Sequence, residues 1–174
     1  MELLDVYNQD RNFIGKVISY NQINKDLNDN EFCLMTILAI FNEDNEMLIH
    51  KRQATKPRFP NLWDVSVGGI TYSGETTQMA IERNLLDKLN YKYDLSKMIP
   101  NFTVNVNKWF CDVYTIKEDI DINDIKVEYQ DVQNLIWASK EEVIQLIEEE
   151  KFVKYNKGFI ELLFNQNFKR GILD

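Results

Sequence analysis

Between Gly68 and Asn90 the sequence reads GGITYSGETTQMAIERNLLDKLN, and this stretch limits the fold more than any other. Two adjacent glycines let a strand end in a tight turn and leave space beside the backbone, and Gly74 relaxes the loop before a helix begins near Thr76. Thr76 suits an N-cap, and Glu75 places negative charge where the helix dipole favours it. Ala80, Leu85, Leu86 and Leu89 are good helix formers. At about 100° per residue, Ile81, Leu85, Leu86 and Leu89 share a core-facing side, and Arg83, Asn84, Asp87 and Lys88 share a polar one. Arg83 and Asp87, four apart, can pair on that side. Without its loop the helix reads equally as an ordinary solvated amphipathic helix.

The rest of the chain supplies strands before and after this unit. Residues 2–7 and 13–20 are β-forming runs around Asn8–Asn12 and predict an N-terminal hairpin; 21–30 is a polar connection. Leu34–Phe41 is almost continuously apolar, as in a strand covered on both faces, and a turn at 42–46 leads into Met47–Arg52, so this pair is expected at the sheet centre. Trp63, Val65 and Val67 alternate as a strand that delivers the glycine pair, and Phe102, Val104 and Val106 alternate opposite Trp109–Ile116. Trp63 and Trp109 could stack on a ligand, although aromatics at strand spacing are more often core. A strand over 132–138, a capping box Ser139–Glu142 opening a helix that buries Val143, Ile144, Leu146 and Ile147, and a last helix near 157–168 with Phe159, Leu162, Leu163 and Phe164 inward complete the reading.

A chain of 174 residues is long enough to bury one full core, and a single domain over 1–174 is expected. Its net charge of −8 disfavours nucleic acid and anionic membrane as partners. Cys33 and Cys111 sit in apolar runs and read as buried free thiols of a reducing compartment. With no signal-like N-terminus and no apolar run near the roughly 18 to 20 residues of a membrane span, a cytoplasmic location is expected. Against the acidic background, His50, Lys51, Arg52, Lys56 and Arg58 crowd one strand end and loop. Lys51, Arg52 or Arg58 there could face a phosphate, or the group could only balance local charge.

The spacing Gly69, five residues, Glu75, seven residues, Arg83 resembles the Nudix signature, G-x5-E-x7-R-E-U-x-E-E-x-G-U with U bulky and apolar, and Leu85 and Tyr91 suit its apolar positions. Asn84, Asp87, Lys88 and Asn90 stand where that pattern has three glutamates and a glycine. The hairpin, Gly15-Lys16, the strand opening at Asn30-Glu31-Phe32 and Phe59-Pro60-Asn61-Leu62-Trp63 are similar to the isopentenyl-diphosphate isomerase-like branch. The resemblance implies an α/β (α+β) Nudix fold: a mixed β-sheet core sandwiched between helices, here with an N-terminal β-hairpin extension over 1–30.

In that family the helix carboxylates hold magnesium, which activates water against a diphosphate linkage. The resemblance therefore implies Mg2+ or Mn2+ on Glu75 and Asp87, Arg83 orienting the carboxylates, and Glu128 or Asp131 as base or further ligand. Gly68, Gly69, Lys88, Lys51, Arg52 and Arg58 would contact a small-molecule diphosphate or nucleotide ligand. Magnesium wants several carboxylate oxygens, and Asn84, Asp87 and Lys88 together bring no net negative charge. Hydrolysis is therefore expected to be weak, and a catalytically inactive module binding a phosphorylated ligand is the alternative. Isomerase chemistry is not expected, because Gly68, Ile70 and Cys33 stand where that enzyme has a cysteine and two histidines, and His50 is the sole histidine.

Overall fold

The run CLMTILAIF forms β3 (Cys33–Phe41), the strand on which the sheet is built; a computed structural model of the chain describes residues 2–127 and 130–166. Alternation splits β3 between two cores. Ile37, Ala39 and Phe41 face one layer, and Leu38 and Ile40 face the other. The remaining strands are β1 (Leu3–Tyr7), β2 (Phe13–Ser19), β4 (Met47–Arg52), β5 (Trp63–Asp64), β6 (Val67–Ile70), β7 (Phe102–Val106), β8 (Trp109–Lys117) and β9 (Val132–Ala138). The helices are α1 (Ile23–Asp26), α2 (Thr77–Leu89), α3 (Lys140–Glu148) and α4 (Lys157–Gln166). β8 runs parallel to β3 along its whole length and β7 closes that edge, whereas β4 carries β5 and β9. Helix α2 packs Ile81, Leu85 and Leu89 on the Leu38 face; α3 and α4 cover the Phe41 face with Val143, Ile160, Leu163 and Phe164. The fold is thus the expected mixed sheet between helices.

β3 and β4 stand as neighbours in the middle of the sheet order, as expected, but the pairing between them is short. They meet in register only at Phe41 and Met47 and then splay. The expected continuous strand from Trp63 to the glycines breaks for the same reason: β5 pairs with β4, and β6 crosses over to pair with β3. Ser66, at the crossing, satisfies both opened strands. Its hydroxyl accepts from Ile40 N at 2.8 Å and donates to Leu48 O at 2.6 Å. A ring nitrogen of His50 bonds Val65 O at 2.8 Å, and burial holds its pKa down at about 4, so His50 is neutral. Buried backbone groups freed by the splay therefore keep partners, and the crossing delivers Gly68 and Gly69 against Ile37 and Thr36.

Other differences follow from packing. On α2, Leu86 is exposed and Asn84 is buried. In α4, Leu162 is exposed and Ile160 takes the inward position; residues 167–168 of the expected helix lie outside the described residues. In α3 only Val143 is fully buried, with Ile144, Leu146 and Ile147 packed partly against the core. The polar connection after β2 contains a helical turn at Tyr20–Gln22 and α1. The hairpin β1–β2 seats Leu4, Val6 and Ile18 over Cys33 and Leu27. No helix of the described residues is long and apolar enough to cross a membrane.

Candidate functional site

The glycine loop and α2 are joined by Glu75. Both of its oxygens accept from Arg83, at 2.7 and 2.8 Å, and one also accepts from Tyr72 N at 2.9 Å. Arg83 donates further to Ile70 O at 3.0 Å and lies over the Tyr72 ring, 3.9 Å from its centre. Burial pushes the Glu75 carboxyl up, but the bonds from Arg83 and Tyr72 outweigh it and hold the pKa below the ordinary value. Arg83 thus pairs across the loop with Glu75 rather than with Asp87 one turn on, which is exposed.

Thr76 caps α2 by accepting from Met79 N, and Asn90 ends it in the left-handed region at φ 48°. Asparagine tolerates that conformation, so the helix stops where a glycine would stop it. The loop is braced from outside by the hairpin: Asp5 accepts from Ser73 Oγ at 2.5 Å and Gly74 N at 3.0 Å.

The two glycines do different work. A side chain on Gly69 would stand 2.6 Å from both side-chain termini of Asn84, whose amide donates to Ala80 O at 2.7 Å. Gly68 offers its carbonyl oxygen to the ammonium of Lys88. Burial lowers the Lys88 pKa to about 8; Asp64 opposes this, and Arg52 and Lys56 add to it. Lys88 is thus turned back onto the loop from the helix face where it was expected.

The basic segment is organised by Arg52. Its guanidinium donates to Asp64 at 3.0 Å, Arg58 O at 3.0 Å and Phe59 O at 3.2 Å, so it shapes the loop rather than facing outward. Asp64 also accepts from Val65 N and from the Tyr155 hydroxyl at 3.1 Å. Lys56 pairs with Asp131. Lys51 is half-buried on β4 between Trp63 and Asn134 in register. Glu128 lies outside the described residues. Among the described residues no three His, Cys, Asp or Glu side chains converge as a metal-binding group.

On the α4 side of the sheet lies a cavity of about 450 Å3, lined by Ile37, Ile70, Phe59, Trp109, Tyr155 and Arg58 among others. Tyr20, from the segment after the hairpin, also lines it, its ring 6.3 Å from that of Trp109. Of the expected ligand-facing cations, Arg58 is the one on this cavity. Tyr20 was missed because the sequence sets it at the end of a β-forming run, and its approach to Trp109 is a tertiary contact.

Residues 34–163 match the NUDIX domain model. The chain belongs to the Nudix family. It is 33% identical over 165 residues, 95% of either chain, to a Listeria monocytogenes protein described as an uncharacterised Nudix hydrolase. The branch resemblance also has a counterpart: an isopentenyl-diphosphate Delta-isomerase of Salmonella typhi is 28% identical over 114 residues, 61% of each chain. A crystal structure of a Deinococcus radiodurans protein superposes with a TM-score of 0.74 at 22% identity, covering 97% of this chain and 100% of the other, so the two share a fold over nearly their whole lengths.

Proposed function

We propose that this Nudix-family protein binds a diphosphate-bearing small molecule at its glycine loop without a dication, with hydrolytic turnover weak or absent. The observation that carries this reading is the Lys88 ammonium on the Gly68 carbonyl. A lysine ammonium has three donors; one is spent on Gly68, and the others with their charge suit a phosphate as a point-charge contact. The donor set does not fit magnesium, because Glu75 is committed to Arg83, Asn84 offers a neutral amide oxygen where a carboxylate is wanted, and Lys88 is cationic. On this reading residues 1–174 act as one domain, with 1–30 bracing the loop, and the protein works on a soluble ligand in the cytoplasm.

The relatives described as hydrolases support a second reading, in which Glu75 and Asp87, with Asp131 or Glu128, hold Mg2+ or Mn2+ for cleavage of a diphosphate linkage. Melting temperature and phosphate release, followed together with inorganic diphosphate and a nucleoside diphosphate panel, separate the two. The binding reading expects stabilisation in the presence of a chelator and its loss in Lys88→Glu. Metal-dependent phosphate release that disappears in Glu75→Gln overturns it.

A further inference from the structure

The cavity on the α4 side is built from parts that a merely structural void does not need. Part of its lining is apolar: Met35, Ile37 and Ile70 come from the strands that present the glycine loop, and Val153 from the approach to α4. Aromatic rings form its sides, with Tyr20 and Trp109 on one flank and Tyr155 stacked on Phe159, centres 5.4 Å apart, on the other. Phe59, at its edge, is 40% exposed and held at φ 53°. A bulky residue in the left-handed region is strained and persists only where its surroundings hold it there. The hold is visible: Arg52 grips the carbonyls of Arg58 and Phe59 while bonded to Asp64, which in turn anchors the Tyr155 hydroxyl. One hydrogen-bonded chain thus fixes two walls of the cavity.

The rim carries charge of one sign. Arg58 lines both the cavity and the adjoining cleft that holds Lys108, and Lys154 lines the cavity edge. Lys108 pairs with Asp29 and Lys154 with Glu150, but among the described residues Arg58 has no carboxylate at ion-pair distance. A guanidinium with no carboxylate partner among the described residues, 5.7 Å from the centre of the Phe59 ring, on a protein of net charge −8 and beside an apolar aromatic slot, complements an anionic group on an apolar body.

We infer that this cavity binds organic phosphates whose body is an apolar ring or chain, the phosphate held by Arg58 and the body seated between Trp109 and Tyr20, a residue outside the 34–163 NUDIX match. The inference rests on the reading above only in taking the ligand to be phosphorylated; the phosphate contact here is Arg58, which lines the cavity, rather than Lys88. Asn107 and Asn156 also line the cavity, so a nucleobase is the competing body, and AMP is the probe that tests it.

The test is calorimetric titration of the full chain with 1-naphthyl phosphate, 1-naphthol, inorganic phosphate and AMP, all in chelator. 1-Naphthyl phosphate is expected to bind at least tenfold more tightly than the other three. Arg58→Ala, an exposed substitution, is expected to weaken it about tenfold and leave 1-naphthol unchanged; Tyr20→Ala is expected to weaken both. Equal affinity for 1-naphthyl phosphate and 1-naphthol, equal affinity for it and inorganic phosphate, or tighter binding of AMP each overturns the inference. Lys88→Met distinguishes the two proposals. If it abolishes diphosphate binding while naphthyl phosphate gains nothing over phosphate, only this inference fails. If it changes nothing while Arg58→Ala does, the loop reading fails and the cavity stands.

Discussion

The ammonium of Lys88 and the carbonyl oxygen of Gly68 are bonded, so the last turn of the Nudix helix returns a positive charge to the loop that precedes it. Burial lowers the pKa of this lysine from 10.5 to about 8. A depressed lysine pKa means the unfolded chain binds the extra proton between those values. The stabilisation linked to this group is therefore complete above about pH 10.5 and lost as pH falls through about 8. Urea unfolding of wild type and Lys88→Met is expected to diverge in favour of wild type across that window, by at most about 1.4 kcal/mol per pH unit. A pH-independent difference contradicts the burial of this amine.

Gly69 is small because Asn84 needs its space. Gly69→Ala is expected to cost about 1 to 3 kcal/mol, as overpacking of a filled site does. Most of that cost is expected to vanish in the Asn84→Ala background, since the three nearest atoms an added Cβ would meet all belong to the asparagine side chain. A double-mutant cycle measures the coupling; additive effects would mean the glycine serves only the backbone turn.

Glu75 is a strut before it is anything else. Glu75→Gln replaces a charged acceptor of three hydrogen bonds and is expected to lower stability by about 1.5 to 3 kcal/mol in denaturant titration. Because its pKa is depressed, the Glu75 contribution is present above the ordinary value of 4.5 and fades as pH falls through the lower folded-state pKa. The wild-type advantage over Glu75→Gln is therefore expected to shrink in acid, and an advantage that grows there contradicts the Arg83 pairing.

Ser66 holds two strands apart and satisfied at once. Ser66→Ala leaves Ile40 N and Leu48 O without that hydroxyl in a buried site. A loss of about 1 to 3 kcal/mol is expected, with faster amide exchange at Ile40 as the local readout.

What the sequence made legible was local. The hairpin turn, the Thr76 and Ser139 caps, the Phe102–Val106 alternation and the glycine spacing depend on neighbours a few residues apart, and each stands where periodicity or turn chemistry put it. The crossing at Ser66 was not legible, because nothing in a Val-Ser-Val run tells which of two strands it will pair with. The site divides in the same way. The Glu75–Arg83 spacing carried the family, whereas Arg52 as a loop clamp, Lys56 spent on Asp131 and Tyr20 beside Trp109 arise only when distant segments meet. Asn84 was assigned to the polar face by helical angle, but the absent side chain of Gly69 opens a buried slot for it.

On the proposed reading, the polar face of this Nudix helix makes bonds within the chain in place of a hold on a dication. Titration of Mn2+ into the protein, followed by the loss of the free-ion electron paramagnetic resonance signal, tests it most directly. Wild type is expected to leave the signal of submillimolar Mn2+ unchanged, while Asn84→Glu combined with Lys88→Glu takes up the ion. Stoichiometric uptake by wild type that disappears in Asp87→Asn would contradict the account.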